Sequence, residues 1–174
     1  MPTLVVVSGP AGAGKTTLAH ALAEAIGCPA ICRDEIKEGM VHAFGADFEA
    51  APGDPLTQRT FGVFFEVLRL LVEAEVTVVA EAAFQDHLWR PNLDALADLC
   101  QLRVVRCRVD PAIARTRVAD RPRRVAHADA PVLDSAEYYT SYKAISLPVP
   151  TIDVDTAHGY EPSLDHVIAF VIGK

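Results

Sequence analysis

Residues Ser8–Gly27 read SGPAGAGKTTLAHALAEAIG and follow directly on the apolar run TLVVV, Thr3–Val7. Glycines and a proline separate that run from an alanine-rich segment, and a lysine sits at the junction. The spacing Gly9-x-x-x-x-Gly14-Lys15-Thr16 is that of a phosphate-binding P-loop. Glycines remove the Cβ atoms that would stop a backbone curling around an anion. The curled loop aims successive N–H groups inward, and a following helix adds the partial positive charge of its N-terminus. Leu18, Leu22, Ala25 and Ile26 repeat at helical spacing, so both required flanks, strand and helix, are present. Gly9, Pro10, Ala11, Gly12, Ala13, Gly14, Lys15, Thr16 and Thr17 are therefore expected to cradle the phosphates of a nucleotide. Lys15 is expected to reach the β- and γ-phosphates, and the Thr16 hydroxyl to bind Mg²⁺.

With 174 residues the chain has the length of one domain, 1–174, able to bury a single substantial core. No apolar stretch approaches the ~20 residues of a membrane span. The start, MPTLVVV, lacks the basic region and length of a signal peptide, which predicts a cytoplasmic protein, a monomer or homodimer. A net charge of −7 disfavours an extended nucleic-acid track. Eight of the twelve arginines nevertheless fall between Arg103 and Arg124, a local excess suited to phosphate. Cys28, Cys32, Cys100 and Cys107 form no C-x-x-C pair and no cluster with histidine in the sequence, so neither a disulfide framework nor a cysteine–histidine metal framework is expected. Cys32 and Cys107 read as small buried apolar residues.

Apolar, β-branched runs at Leu4–Val7, Ala30–Cys32, Val76–Ala80, Leu102–Val109 and Pro150–Val154 predict strands. Helical patterns occupy Lys15–Ile26, Asp34–Phe44, Thr57–Glu73, Asp86–Cys100, Pro111–Asp120, Ser135–Ile145 and Glu161–Ile172. Continuous apolar strands alternating with helices predict an α/β fold, a three-layer α/β/α sandwich around a five-stranded parallel sheet. Two segments interrupt the alternation: FGADFEAAPGDPL (Phe44–Leu56), an acidic surface loop, and RPRRVAHADAPV (Arg121–Val132), rich in arginine.

Ligands of open parallel sheets collect at the carboxyl ends of the strands. After the second strand come Arg33, Asp34, Glu35 and Lys37. Asp34 reads either as an N-cap or as a general base for an attacking hydroxyl, and one position could serve both. Glu81 ends the third strand, where a carboxylate holds Mg²⁺ or, alternatively, caps a helix or pairs with a cation. Beyond the fourth strand, Arg117 and Arg121 stand four apart on one helical face. They form either a solvated basic face or a pair in which Arg117 stacks on a nucleobase and Arg121 reaches the phosphates. Arg103, Arg106 and Arg108 read as structural or surface residues. Asp155 and Thr156 follow the fifth strand, on the nucleotide side.

The stretches GPAGAGKTT, RDEIK after the second strand, and RTRVADR resemble small P-loop kinases of the AAA-type ATP-binding group. That group holds polynucleotide 5′-hydroxyl kinase domains, chloramphenicol phosphotransferase and zeta-toxin-like kinases. The resemblance implies a nucleoside-monophosphate-kinase-like P-loop fold with a short lid near 121–132 and an acceptor-side loop near 44–56. It implies an ATP-dependent, Mg²⁺-assisted phosphotransferase acting on a hydroxyl of a small molecule or nucleotide. Asp34 corresponds to the base, Lys37 to a basic residue touching acceptor or phosphate, and Arg117, Arg121 and Arg124 to lid arginines. Arg33 and Glu81 would flank the acceptor, and Glu81 stands where relatives often carry Asp. A P-loop ATPase, or a regulatory module that binds nucleotide without a small-molecule acceptor, is the alternative that the same loop allows.

Overall fold

Strand β1, Thr3–Ser8, divides the core between two faces through the alternation of its side chains. Leu4 and Val6 pack with Phe64, Leu68, Trp89 and Leu93 on one side. Val5 and Val7 pack with Leu18, Leu22, Val167 and Val171 on the other. Leu4, Val5, Val6, Val7, Leu18 and Phe64 are wholly buried, each worth about 1.5–3 kcal/mol of transfer free energy, so β1 has no room for a charge. These facts come from a computed structural model that describes residues 1–45, 48, 54–121 and 142–173.

The chain continues through α1 (Lys15–Ile26), β2 (Ala30–Cys32), α2 (Arg33–Phe44), α3 (Pro55–Glu73), β3 (Val78–Glu81) and α4 (Asp86–Ala97). It then forms β4 (Gln101–Arg108), α5 (Pro111–Ala119), β5 (Thr151–Asp155) and a last described helix, here α6, Leu164–Ile172. The five strands pair in parallel in the order β2-β3-β1-β4-β5. Both neighbours of β1 therefore belong to later parts of the chain, and the crossovers lay α3 and α4 on one face and α1 and α6 on the other. This is the three-layer α/β/α sandwich expected from the sequence.

Local chemistry explains the element ends. Asp54 caps α3 by accepting from the Thr57 N–H, with Pro55 in the first turn. Asp110 does the same for α5 through the Ala112 N–H, ahead of Pro111. Gly27 ends α1 in the left-handed conformation, donating its N–H to the Ala23 carbonyl.

Several boundaries differ from the sequence reading. The N-cap of α2 is Cys32 and the helix begins at Arg33, so Asp34 lies inside the first turn and is not its cap. A short polar side chain favours a cap, but the extended backbone of β2 runs straight into the helix and leaves no free position there. Helix α4 stops at Ala97, short of Cys100, because the chain must turn to enter β4 at Gln101. The last helix starts at Leu164, capped by Ser163; Glu161 instead pairs with Asp155 in an antiparallel bridge. Of the helix expected over Ser135–Ile145, only Tyr142–Ile145 lie among the described residues, and they are not helical: Ala144 bridges to Gln85.

Candidate active site

The parallel register brings three strand ends level. Val7 stands opposite Glu81, and Cys32 stands opposite the same Glu81. The P-loop, the first turn of α2 and the last residue of β3 thus meet at one edge of the sheet, beside the central strand.

The loop is built by close approach. Gly12 has φ +75°, and a Cβ there would stand 2.3 Å from the Ala114 carbonyl oxygen of α5, a contact only glycine permits. The loop thus crosses α5 in direct backbone contact at Ala114. Its far end opens into α1, whose first turn holds no acidic residue and whose N-cap, Gly14, offers no side-chain bond. The leading N–H groups of α1 are thereby left for an anion.

Around that opening the side chains converge. Lys15 donates to the Pro10 carbonyl at 3.0 Å and lies 3.8 Å from Glu81 Oε1. Thr16 donates its hydroxyl to Glu81 Oε2 at 3.2 Å. Glu81 is only 3% exposed. Burial pushes its carboxyl above the usual range, the Lys15 ammonium opposes that, and the Asp34 carboxylate adds to it. Asp34 is thus near enough to be felt electrostatically at Glu81, yet its side chain is 50% exposed and open to an incoming group. Arg33 Nη1 donates to Asp34 Oδ1 at 2.9 Å, and Arg33 Nη2 reaches the Thr57 carbonyl, which steadies the carboxylate against α3. A Thr hydroxyl and a desolvated carboxylate are hard oxygen donors, the set that Mg²⁺ prefers, so Thr16 and Glu81 fit the ion expected there.

Other expected site residues sit differently. Lys37 is buried, and its ammonium donates to Asp54 Oδ2 at 2.8 Å and to Thr57 Oγ1 at 2.9 Å. It ties α2 to the start of α3, where a contact with acceptor or phosphate had been expected. Burial acts to raise the Asp54 pKa, but the bonds from Lys37 and Thr57 prevail and hold it low. Arg117 spends its fork on the backbone: Nη2 donates to the Thr156 and Ala157 carbonyls at 2.6 and 2.9 Å, and Nη1 to Gly12 at 3.4 Å. Thr156 donates its hydroxyl to the Ala13 carbonyl at 3.0 Å. Arg117 and Thr156 therefore brace the P-loop from outside, and Asp155 accepts from the Ala157 N–H to hold the same turn. Thr17 is exposed on α1. Arg121 is exposed just beyond the end of α5 and so does not share a helical face with Arg117. Arg124 and most of the expected lid, like much of the 44–56 loop, lie outside the described residues. The structural reading of the remaining arginines holds: Arg106 and Arg108 pair with Asp153, and Arg103 donates to the Phe170 carbonyl.

One grouping went unseen in the sequence. His20 of α1, Cys32 at the end of β2 and Glu35 of α2 present ligand-type atoms that all lie within 4.8 Å of one another. Cys32 is buried, as expected, but its thiol faces histidine and carboxylate. Burial and the neighbouring Glu81 and Glu35 carboxylates raise its pKa well above the ordinary thiol value. The three residues come from three elements, and only the adjacency of α1 to β2 across the first crossover would have hinted at their meeting.

Solved structures share this architecture. A candidate kinase from Chloroflexus aurantiacus superposes with a TM-score of 0.84 at 20% identity, covering 99% of this chain and 97% of that one. The APS kinase of Mycobacterium tuberculosis, solved with AMPPNP and APS, gives 0.65 at 15% identity, covering 99% and 96%. A gluconokinase from Sinorhizobium meliloti gives 0.60 at 20% identity, covering 99% and 93%. These likenesses show a P-loop, kinase-like fold. None of the curated proteins is similar in sequence to this chain. The family model described as an AAA domain matches residues 4–141, the P-loop and all three strand ends of the site included, and the chain belongs to that AAA domain family.

Proposed function

We propose that the protein is an ATP-dependent kinase that transfers the γ-phosphoryl group to a hydroxyl of a small molecule or nucleotide. The observation that carries this reading is the meeting of Lys15, Thr16, Glu81 and the open Asp34 carboxylate at one sheet edge. An ATPase needs the first three; an exposed carboxylate beside them, held by Arg33, suits an acceptor hydroxyl. In this account the resemblance to polynucleotide kinase, chloramphenicol phosphotransferase and zeta-toxin-like enzymes reflects shared chemistry, and the kinase names of the structural neighbours agree with it.

The P-loop N–H groups and the α1 N-terminus bind the phosphates. Lys15 swings from Pro10 to the β- and γ-phosphates, where its charge follows the developing negative charge. Mg²⁺, held by Thr16 and Glu81, would neutralise phosphate charge when bound. Asp34 orients the acceptor hydroxyl in line and takes its proton as the new P–O bond forms and the bond to the β-phosphate oxygen breaks, with ADP leaving. Arg121 and Arg124, from the lid side, would bring further positive charge to the transferring group.

The test compares Asp34→Asn and Lys15→Ala with wild type in an acceptor-dependent transfer assay. Asp34→Asn keeps the shape and removes the charge, so transfer should fall by ~10²–10⁴-fold while ATP affinity stays within a few-fold. Lys15→Ala should lose both, since a charge-assisted bond is worth about 1.5–3 kcal/mol in binding alone. Unchanged transfer by folded Asp34→Asn would remove the base from the mechanism.

A further inference from the structure

We propose that His20, Cys32 and Glu35 form a second metal site, for Zn²⁺ or a similar borderline-soft divalent ion, distinct from the Mg²⁺ position at Thr16 and Glu81. The inference stands on geometry and donor chemistry and does not depend on the kinase reading. His20 Nε2 lies 3.7 Å from Cys32 Sγ and 2.7 Å from Glu35 Oε1. In a tetrahedral site with bonds of about 2.0–2.3 Å, ligand atoms stand roughly 3.3–3.8 Å apart. The sulfur–nitrogen edge already has that length. The nitrogen–oxygen edge is closed by a hydrogen bond and must open by roughly 0.6 Å, a small movement for two side chains that are both half exposed.

The donor set selects the ion. One thiolate, one imidazole and one carboxylate suit Zn²⁺ and Co²⁺, whereas Mg²⁺ takes oxygen ligands and dehydrates reluctantly. Binding exchanges the Cys32 Sγ–H proton for the metal: the S–H bond breaks, one proton passes to solvent, and a sulfur–metal bond forms with no change of oxidation state. His20 gives up its bond to Glu35 and exchanges tautomer through solvent, Nδ1 gaining a proton as Nε2 loses its own, so that the neutral ring offers its Nε2 lone pair to the metal. Three protein ligands leave a fourth position for water or for a donor from a bound molecule. Because Cys32 is the N-cap of α2 and Glu35 lies in its first turn, the ion would pin α1 to the β2–α2 junction, next to Asp34.

The test uses untagged, nucleotide-free protein titrated with Co²⁺. Wild type should take up one ion per chain with near-ultraviolet thiolate-to-cobalt charge-transfer absorption. Zn²⁺ should abolish the band and excess Mg²⁺ should not. Cys32→Ser should lose the band, while Cys28→Ser should keep it. His20→Asn and Glu35→Gln change exposed positions that leave the fold intact, and each should weaken Co²⁺ binding at least about tenfold, since loss of a mere outer partner costs ~10–100-fold. The proposal is overturned by absence of the charge-transfer band, by a band that persists in Cys32→Ser, or by unchanged affinity in both His20→Asn and Glu35→Gln. Should Cys32→Ser fail to fold, the two exposed variants decide the matter alone.

Discussion

At the scale of single residues, Glu81 is where folding and chemistry pull against each other. It is almost wholly buried, receives the Thr16 hydroxyl, and has a carboxyl whose pKa burial raises. A raised carboxyl pKa means that the folded state holds the proton more tightly than the unfolded chain does. The associated stability is complete below the unfolded pKa and is lost as pH rises through the folded value. Glu81→Gln keeps the shape and removes the titration. Its melting temperature without ligand, relative to wild type, should therefore climb as pH rises above the ordinary carboxylate range. The Lys15 contact it weakens is long, at 3.8 Å, and Lys15 keeps its bond to Pro10. Mg-ATP should stabilise the wild type strongly and the variant much less; a pH series of melting curves with and without Mg-ATP reads both effects. The strand-end position of Glu81 was legible in the sequence, because it closes an apolar, β-branched run; that this run lies beside the P-loop strand was not. The position of Asp34 was legible too, but its place inside the helix was not, since cap preference is local and the strand-to-helix geometry of Cys32–Arg33 is set by the sheet.

At the scale of elements, two devices hold the site in shape. The first is the buried pair of Lys37 and Asp54, each side chain 5% exposed, which locks α2 to α3. Removing one member strands a buried charge, so Lys37→Met should cost about 3–5 kcal/mol in denaturant unfolding. Adding Asp54→Asn should recover much of this, because asparagine can still cap α3 without a stranded charge. If Lys37→Met instead left stability unchanged and raised only the acceptor KM, the lysine would belong to the acceptor site. The second device is Arg117, which clamps Gly12 to the turn after β5. Arg117→Lys keeps the charge and loses the fork, so it should raise the Kd for ATP by roughly tenfold, the equivalent of one charge-assisted bond, and lower the melting temperature. Calorimetric titration with ATP checks the first and a thermal melt the second. The bounds of α1 could be read from sequence to the residue, because glycine punctuates it at both ends. The partners of Lys37 and Arg117 could not, since they lie 17 and 39 residues away or more and are chosen by packing.

At the scale of the whole molecule, the sheet order β2-β3-β1-β4-β5 is what makes a site at all. It inserts β3 between β1 and β2, so that a metal-type carboxylate stands between the phosphate loop and the candidate base. The apolar runs announced the strands and their parallel pairing. Their spatial order, and hence the meeting of His20, Cys32 and Glu35, follows from crossovers that no local pattern encodes. The account requires that this edge serve two substrates, ATP and an acceptor, and not ATP alone. The most direct measurement is ADP formation by wild-type protein with Mg-ATP across a panel of hydroxyl-bearing acceptors, with every acceptor weighed by mass spectrometry. The account predicts slow ADP release alone, strong acceleration by at least one acceptor, and one phosphoryl group gained by that acceptor for each ADP formed. Brisk ADP and free phosphate production that no acceptor changes, with no acceptor gaining mass, would contradict it and make the protein an ATPase.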